Sequence, residues 1–445
     1  MRDLIILAFI LGSVPVCLFN PYYGVLMWTW IAYFNPHRYA WGIAYDFPVA
    51  QVIAYPTLIG MLFARKLNRQ ILTRETILLL MLWLWFCFTM FYATQVPAFA
   101  GHVATGMDQL KQVSKILLMT FPTILLVTSP KRLKYLLLVI SLSFGVRAIF
   151  GAIFVFKTGG EYRVYGPADS FIEDNNAFAL ALNMVLPMMF FLAREVQNRW
   201  LRGALYLAFG CSIVCVILTY SRGGILGLAV VLGAICIKAH RKLLGSLMLL
   251  AAGLVVFSYA PEKWMTRMSG FLGGEVDGSA QQRLITWRTA WNFVQDYPIT
   301  GGGFDTSPDP AVFQRYAPEA LPGGFASTGA HSIYFQMLGN HGFVGFGLFL
   351  SLLGSSWASL RNLRRRARSL SSAQWVVSYA DMMEASLLAY MVSGAFLGLA
   401  YFDLYFELIA LVIVIRILHR RDVLAASTAR IRTDLEGPVG ELVKA

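Results

Sequence analysis

The chain has 445 residues, of which 57% are hydrophobic, 14% are aromatic and only 14% are charged. Because ordinary soluble proteins carry about 25% charged residues, this composition predicts an integral membrane protein. It excludes an intrinsically disordered chain, which would be poor in apolar and aromatic residues. The five cysteines are too few, and odd in number, for an extracellular disulfide framework.

The net charge is +13, with 37 Lys and Arg against 24 Asp and Glu. In a membrane protein such an excess usually reflects the orientation of the chain in the membrane. We therefore expect no nucleic-acid partner. The distribution of the cations along the chain is therefore more informative than their number.

Apolar runs long enough to cross a hydrocarbon core of ~30 Å recur along the chain. Because only closed helices satisfy their backbone in lipid, the runs predict an all-α, polytopic helical bundle. The first two runs are short and meet at Asn20-Pro21, so they form either a tight pair or one broken element, and we expect about twelve transmembrane helices. The runs cover residues 3–19, 21–34, 48–64, 75–95, 112–128, 135–156, 176–193, 203–219, 223–238, 243–259, 332–357, 380–401 and 404–418.

The connections between these runs alternate in charge. By the positive-inside rule the basic connections face the cytoplasm, and the others, including 157–175 and the long 260–331 segment, face the outer side of the membrane. The basic connections are 65–74, 129–134, 194–202, 238–242, 358–368 and the C-terminal tail.

This pattern divides the chain into four regions. Residues 1–259 hold about ten spans with short loops, and residues 260–331 form a long segment on the outer side, called the outer segment. Residues 332–418 are C-terminal transmembrane helices, and residues 419–445 are a cytoplasmic tail.

The outer segment is longer than the ~15 residues beyond which loops are usually functional or disordered, which favours a functional role. Within 281–297, apolar residues recur at helical spacing and predict an amphipathic helix lying at the outer membrane interface. Pro298 and the glycine triplet 301–303 terminate it, and the triplet has the wrong spacing for a nucleotide loop. The predicted apolar stripe is Leu284, Trp287, Trp291 and Val294.

Four basic side chains of the outer connections lie in distinctive local sequence. If the bundle brings them together, they form an electropositive pocket at the membrane surface. Guanidinium groups stay charged and bind phosphate bidentately, so the natural ligand is a diphosphate at headgroup level. The residues are Arg163 between two spans, Arg222 in a tight Ser-Arg-Gly-Gly turn, Arg283 near the start of the amphipathic helix, and His331 at the start of a later helix.

Each of these residues also has a structural interpretation. An arginine at a helix end commonly snorkels to the interface, and a lone histidine at a helix start is commonly a structural donor. Arg147 lies about ten residues inside its span, where charged groups face the bundle interior, so it is a further substrate-binding candidate. Four aromatic residues can stack on sugars, although aromatic belts are the commoner reason for them at this depth; they are Tyr162, Tyr165, Trp287 and Trp291.

Other residue patterns favour structural roles. His341 lies in the same helix as His331 and is expected to face packing, and the acidic and Asn residues before 176 are explained in part by helix capping. Cys211 and Cys215 share one helix face, and the simplest interpretation is that they pack in the core. There is no HExxH, CxxC or DxD sequence, so we expect neither a metal site nor another cofactor.

Four stretches, in this order, resemble the O-antigen ligase and polymerase superfamily of bacterial envelope glycosyltransferases. They fall within residues 163–345 and read RVYGPADSFIEDNNAFALAL, YSRGGILGL, RLITWRTAWNFVQDYPITGGGF and HSIYFQMLGNHGFVG. The opening, from MRDLIILAFILGSVPVC, further resembles the subgroup of exosortase-associated O-glycosylation ligases. At one point the chain departs from the pattern, because the motif that usually reads His-Asn is His331-Ser332 here.

The resemblance implies transfer of a glycan from undecaprenyl diphosphate to an acceptor hydroxyl at the periplasmic face of the bacterial inner membrane, without a metal. Carried over to this chain, it implies that Arg222 and Arg283 bind the diphosphate and that Arg163 binds the diphosphate or the first sugars. His331 acts on the incoming hydroxyl as a base or a hydrogen-bond orienter. A single displacement would invert the anomeric centre. The implied partners are the lipid-linked donor, a lipid A-core or protein acceptor, and membrane lipids.

Several functions remain open at this stage. The leading acceptor is lipid A-core, but a protein Ser or Thr, or a growing glycan in a polymerase, belongs to the same class. A transporter of lipid-linked glycans predicts unwound helices near the midplane and internal repeats, neither of which the sequence shows. A scaffold without a site predicts that the outer arginines tolerate Lys or Gln.

Overall fold

The structure is a computed structural model that describes residues 2–238, 278–368 and 373–436. Within these ranges the chain is helical and has no strand, which confirms the predicted all-α class there. The predicted span at 243–259 lies outside the described residues. In chain order the α-helices are α1 (Arg2–Phe19), α2 (Pro21–Phe34), α3 (Ile43–Asp46), α4 (Val49–Leu62), α5 (Arg74–Gln95), α6 (Ala100–Leu126), α7 (Pro130–Thr158), α8 (Asn175–Glu195), α9 (Arg199–Leu218), α10 (Arg222–Lys238), α11 (Gly278–Asp296), α12 (Pro310–Tyr316), α13 (Ile333–Ala367), α14 (Gln374–Gly394) and α15 (Asp403–Glu436).

Side-chain caps fix where several helices begin. Thr73 accepts a hydrogen bond from the Thr76 amide at the start of α5, and Ser129 accepts one from the Arg132 amide at the start of α7. Asn198 caps α9 in the same way. A capping side chain satisfies a backbone donor that the first helical turn leaves unpaired. The local sequence therefore sets these boundaries.

Six of the described helices are long and apolar enough to cross a bilayer, namely α1, α5, α7, α8, α9 and α13. Helix α4 is also apolar but shorter. The predicted class, a helical membrane protein, agrees with these helices. The number of about twelve spans stays a prediction.

The first two helices form a tight antiparallel pair. At the start of α1, Asp3 Oδ1 accepts hydrogen bonds from the Gly42 and Ala44 amides, at 3.0 and 3.2 Å. At the other end of α1, the Leu18 carbonyl packs so closely against Gly60 in α4 that no side chain fits there. Helix α1 therefore crosses the bundle in one direction and α2 crosses it in the other. Of the two alternatives for the first two apolar runs, the tight pair is the correct one.

Contacts between connections place several basic segments at one face of the bundle, here called the basic face. The Asn68 side chain donates to the Val127 carbonyl at 2.9 Å, and Lys134 donates to the Glu195 carbonyl at 3.2 Å. These contacts gather connections that the sequence predicts to share one side of the membrane, namely 65–74, 129–134 and 194–202.

The connections of low charge meet at the other face, here called the site face. Tyr45 donates a hydrogen bond to Asp169, which joins the segment after α2 to the segment before α8. The buried His102 Nδ1 lies 2.6 Å from Asp309 Oδ2, which joins α6 to the segment before α12. The two faces thus separate the connections as their charges predict.

Helix α8 lies at the centre of the bundle. Nearly all of its residues are buried, and it packs against α7, α9, α10 and α14. Asp174 caps it at the site face by accepting hydrogen bonds from the Asn176 and Ala177 amides. The capping role predicted for this acidic segment is therefore confirmed at Asp174. Since α8 touches so many helices, the position of its first turn is fixed from several sides.

Helix α13 is broken within the bundle. Gly342 has φ of +65°, so the helix kinks there. Pro298 and the glycine triplet supply the hydrogen bonds that the break disturbs: the Gly302 amide donates to the Gly339 carbonyl at 3.1 Å, and the Phe343 amide donates to the Pro298 carbonyl at 2.8 Å. Irregular backbone at membrane depth is tolerated only where such partners exist.

This arrangement corrects the predicted role of the glycine triplet. Helix α11 already ends at Asp296, so the glycines do not terminate it. They lie against α13 instead, where the Gly303 amide donates to the Asn340 carbonyl at 2.8 Å. The sequence could not show this, because the partner lies about forty residues further along the chain, beyond the reach of local turn rules.

The predicted apolar stripe of the amphipathic helix is not the face that packs against the rest of the protein. Helix α11 forms as expected, but Leu284 and Trp291 are exposed from the protein. Its buried face is made by Thr286, Thr289, Ala290, Phe293 and Val294. The helix packs against α13 and α12 through this mixed face, and the placement of Leu284 and Trp291 at the membrane interface stays a prediction.

The C-terminal helix is longer than the apolar run 404–418 that predicts it. Residues from 419 onward were expected to form a tail, whereas α15 continues to Glu436. No Gly or Pro interrupts it before Gly437-Pro438, so nothing in the sequence stops the helix earlier. The end of the helix therefore does not test the prediction that residues 419–445 lie in the cytoplasm.

A buried hydrogen-bonded chain holds α5, α13 and the segment before α15 together. The Thr89 hydroxyl donates to the Phe86 carbonyl, so its oxygen accepts the proton on His341 Nδ1 at 2.7 Å. The Tyr401 hydroxyl then donates to His341 Nε2 at 2.8 Å and accepts from the Asn340 amide at 2.9 Å. His341 is fully buried, as its structural interpretation predicts. Each donor in this hydrogen-bonded network thus has one acceptor, so the direction of every hydrogen bond is consistent with the others.

Replacing Tyr401 with Phe should destabilise the protein. The change removes the partner of His341 Nε2 and of the Asn340 amide, and an unsatisfied buried polar group costs about 1–3 kcal/mol. We expect the free energy of unfolding to fall by about 1–3 kcal/mol for each of these two groups, measured by thermal or denaturant unfolding in one detergent. Tyr206→Phe, at an exposed position on α9, is the control and should behave as the parent. Equal stability of Tyr401→Phe and the parent would contradict the network.

Candidate active site

The turn between α9 and α10 carries Arg222 at the site face. Tyr220 has φ of +59°, and its hydroxyl donates to the Gly160 carbonyl at 2.8 Å. Ser221 then accepts a hydrogen bond from the Gly224 amide at 3.1 Å, which caps the first turn of α10. The turn is therefore fixed both to the segment after α7 and to its own helix, and Arg222 is the first residue of α10.

The segment that carries Arg163 is attached to the same turn. The Val164 amide donates to the Leu218 carbonyl at 3.0 Å. Arg163 is exposed, and its charge opposes the rise in the pKa of Tyr220 that burial causes. Arg163 therefore lies within electrostatic reach of the turn that presents Arg222.

Close packing fixes the start of α10. A side chain at Gly227 would collide with Ser393 Oγ of α14 and with the Asn183 amide of α8. Asn183 in turn donates to the Gly224 carbonyl at 2.8 Å. Helix α10 can approach α8 and α14 this closely only because small residues face them, so the repeated glycines after Arg222 set the position of that arginine.

The first turn of α8 joins this turn to a second group of residues. Asn175 is buried, and its amide donates to the Thr219 carbonyl at 2.7 Å. Its neighbour Asp174 lies within electrostatic reach of His331. The 157–175 segment thus contacts the Arg222 turn and lies within electrostatic reach of the start of α13.

Helix α11 positions His331. The Trp287 indole donates to the Ala330 carbonyl at 2.8 Å, and its ring stacks on Phe335 at a centroid distance of 5.2 Å. The Gln282 amide donates to the Ala326 carbonyl at 2.8 Å. Arg283 lies on α11 between Gln282 and Trp287, so the helix that holds the segment before His331 also carries this arginine.

The electrostatic setting of His331 follows from these contacts. The pKa of His331 is lowered from its ordinary value of 6.5, chiefly by burial and then by the positive charge of Arg283, while Asp174 acts in the opposite direction. The His331 side chain is half-buried, and the backbone of His331 has a positive φ of +44°. Neutral imidazole is consequently its main form at pH 7, and a neutral imidazole can accept a proton.

The structure therefore brings the segments that carry the four basic residues to one face, where they form two sets within electrostatic reach. Arg163 and the Arg222 turn form one pair, Arg283 and His331 form the other, and Asp174-Asn175 connects them. Asp174 was predicted only as a helix cap. No local signal in the sequence reveals that a residue about 157 positions later lies beside it.

Arg147 has a different setting. Its Nε and Nη2 atoms donate to the Phe34 carbonyl at 3.1 and 2.7 Å, and its guanidinium lies 4.3 Å from the centre of the Tyr39 ring. The described contacts of Arg147 hold the end of α2, where carbonyls lack helical partners. Its predicted role in substrate binding has no support from these contacts.

The predicted aromatic residues differ in what they can contact. Tyr162 and Tyr165, exposed by 60% and 56%, flank Arg163 and are open to a ligand. Trp291 is 48% exposed and meets Phe343 edge to face. Trp287 is engaged with Phe335 and Ala330, so its role is to position the segment before His331.

Comparisons with known families cover much of the chain. A family model described as a family of unknown function (DUF5935) matches residues 1–197, which include Arg147 and Arg163. A second model, described as O-Antigen ligase, matches residues 207–350, which include Arg222, Arg283 and His331. No curated protein matches the chain. The resemblance of the opening residues to exosortase-associated ligases stays a prediction.

The family model thus indicates the same superfamily as the four sequence motifs. It matches the region that carries Arg222, Arg283 and His331. Residues 207–350 match the family model described as O-Antigen ligase, which confirms the resemblance to this superfamily.

Proposed function

We propose that the chain is a glycosyltransferase that moves a glycan from undecaprenyl diphosphate to an acceptor hydroxyl at the periplasmic face of the bacterial inner membrane. The acceptor in this proposal is lipid A-core, which gives O-antigen lipopolysaccharide. One observation carries it: His331 lies within reach of both Arg283 and Asp174, and Asn175 links that group to the Arg222 turn.

The site face suits a diphosphate. Helices α10 and α13 both begin there, and helix N-termini carry partial positive charge that favours anions. Arg222 opens α10, and Arg283 lies in the first two turns of α11. In this proposal the two guanidinium groups bind the diphosphate, and Arg163 binds the diphosphate or the first sugars between Tyr162 and Tyr165.

The proposed reaction is one displacement at the anomeric carbon. The acceptor oxygen forms a bond to that carbon and gives its proton to His331, while the bond from the carbon to the diphosphate oxygen breaks. Undecaprenyl diphosphate leaves with the electron pair, and the anomeric centre inverts. The negative charge that develops on the leaving group is stabilised by arginines already in place, so the proposal needs no metal.

The setting of His331 supports its role as the base. A histidine whose pKa is lowered stays neutral to more acidic pH than usual, so it remains able to take the acceptor proton. Arg283 contributes to that lowering and also binds the diphosphate in this proposal. The same arginine would therefore act on the leaving group and on the base.

Two alternatives share this chemistry and differ only in the acceptor. A protein O-oligosaccharyltransferase uses a Ser or Thr hydroxyl, and an O-antigen polymerase uses the end of a growing glycan. Mass spectrometry of envelope glycolipids and glycoproteins from a deletion strain separates them, because one pool should lose its glycan. Loss from proteins with unchanged lipopolysaccharide would reject the lipid A-core acceptor.

Replacing His331 with Ala, or Arg283 with Gln, should lower the rate of glycan transfer by at least about 100-fold, because each change removes a group that acts at the reacting centre. The measurement is transfer by purified protein from a defined undecaprenyl-diphosphate glycan to lipid A-core. We expect EDTA to leave the parent rate unchanged.

The matched control for Arg283 is Arg288→Gln on the same helix. Arg288 is exposed and pairs with Glu319 at 3.4 Å, so its loss should change the rate less than about threefold. Equal rates for the parent, His331→Ala and Arg283→Gln would rule out this site.

Replacing Asp174 with Asn should move the acidic limb of the pH–rate profile to lower pH. Asp174 raises the pKa of His331, so removing its charge lowers that pKa further and keeps the base neutral in more acid. Asn is as good a helix cap as Asp, so α8 should keep its start. The measurement is the transfer rate of each variant against pH.

Glu161→Gln is the control for Asp174→Asn, because it removes one negative charge from the same face without a described effect on His331. Its acidic limb should coincide with that of the parent. A shift to higher pH in Asp174→Asn would contradict the role of neutral His331.

A further inference from the structure

A cavity of about 630 Å³ opens at the basic face, far from the candidate active site. It lies where the start of α5 meets the end of α13 and the middle of α15. Its volume is within the range of sites that hold small ligands. Its polar lining includes Arg74, Asn362, Arg366, Arg416, His419 and Arg420.

The charge of this cavity is only partly compensated. Arg416 donates to Glu75 Oε2 at 2.8 Å, and the fully buried Glu75 also accepts hydrogen bonds from Ser355 and Ser359. Arg74 and Arg420, in contrast, have no acidic side chain within ion-pair distance in the described part of the chain. The cavity therefore keeps an excess of positive charge, which favours an anion.

A neighbouring basic cavity shows the contrast. There Lys238 and Arg364 each contact both Asp381 and Glu384 at 2.5–2.9 Å, so the cations already have protein partners. Such a cluster is explained by the fold alone. The cavity beside Arg74 and Arg420 is not explained in this way.

His419 provides an independent indication of a ligand. Its side chain lines the cavity and is only 4% exposed, yet its Nδ1 atom has no hydrogen-bond partner among the described residues. Leaving a buried polar atom unpaired costs about 1–3 kcal/mol. A bound hydrogen-bonding group would remove that cost.

The depth and the rim of the cavity match a lipid. Helix α15 has 34 residues, which at 1.5 Å per residue is about 50 Å and longer than a hydrocarbon core of ~30 Å. The cavity residues lie about 20–30 Å along it, where headgroups are expected. Leu363, Val423 and Leu424 supply an apolar side, and the last two are 39% and 49% exposed.

We propose that this cavity binds the phosphate group of an anionic phospholipid of the leaflet at the basic face, which the positive-inside rule predicts to be cytoplasmic. Arg74 and Arg420 pair with the phosphate, His419 contributes a hydrogen bond, and the acyl chains lie along the apolar side. Free inorganic phosphate shares the recognised chemistry. The bound group would link α5, α13 and α15, and α13 is the helix that begins beside His331.

The test compares ligands on the purified full-length protein. The thermal unfolding midpoint is measured in neutral detergent with added phosphatidylglycerol, cardiolipin, phosphatidylcholine or inorganic phosphate. We expect the two anionic lipids to raise the midpoint and phosphatidylcholine to leave it unchanged. A matching rise with inorganic phosphate at equal phosphate concentration would identify a soluble anion as the ligand and reject the lipid.

Variants at exposed positions then locate the site. Arg420→Gln and Arg74→Gln should each weaken binding of phosphatidylglycerol about fivefold, because a basic residue at an anionic lipid surface contributes about 1 kcal/mol. Arg202→Gln, exposed at the start of α9 on the same face, is the control and should bind as the parent. Native mass spectrometry counts the lipids that remain bound.

Equal lipid binding by the parent, Arg74→Gln and Arg420→Gln would overturn the proposal. So would an equal loss in Arg202→Gln, because that result indicates attraction of lipids to the whole basic face. All three arginines are exposed, so none of these variants removes a buried contact.

Discussion

A side-chain hydrogen bond from Asn175 to the Thr219 carbonyl, at 2.7 Å, connects the two pairs of residues in the candidate site. Asn175 is the first residue of α8, the helix at the centre of the bundle, and it follows the aspartate that acts on His331. Thr219 lies three residues before Arg222. Because both partners are buried, breaking this bond would leave polar groups unsatisfied, which is costly in a bundle core. The relative position of the arginine turn and the histidine therefore depends on how α8 is packed.

The same face also shows how irregular backbone can be held rigidly within a membrane protein. The kink of α13 at Gly342 is supported by amides and carbonyls of the segment that follows α11, and His341 beside it is bound through both ring nitrogens. His331 lies at the start of this supported helix, and Trp287 of α11 holds the residue before it. A reactive group set on fixed elements keeps its geometry better than one on a free loop, which favours preorganised catalysis.

The sequence was sufficient for features that depend on local chemistry or on composition. Apolar runs predicted the helical class, basic connections predicted the division into two faces, and helix capping was correctly predicted for the acidic segment that contains Asp174. It was insufficient where distant segments meet: the glycine triplet acts on α13, Arg147 binds the end of α2, and the buried face of α11 contains threonines that periodicity overlooks. From the residues alone the grouping of Arg283 and His331 was conditional on how the bundle packs, and the family resemblance made it an expectation, since no spacing rule brings residues of different helices together.

The central claim is that Arg222 and Arg283 bind one diphosphate, and a double-mutant cycle on ligand binding tests it most directly. The dissociation constant of undecaprenyl diphosphate is measured for the parent, Arg222→Gln, Arg283→Gln and the double variant. If both guanidinium groups contact the same diphosphate, each single change weakens binding about tenfold or more, and the double change weakens it by a factor clearly different from the product of the two. Unchanged binding in either single variant, or effects that simply multiply, would contradict a shared site.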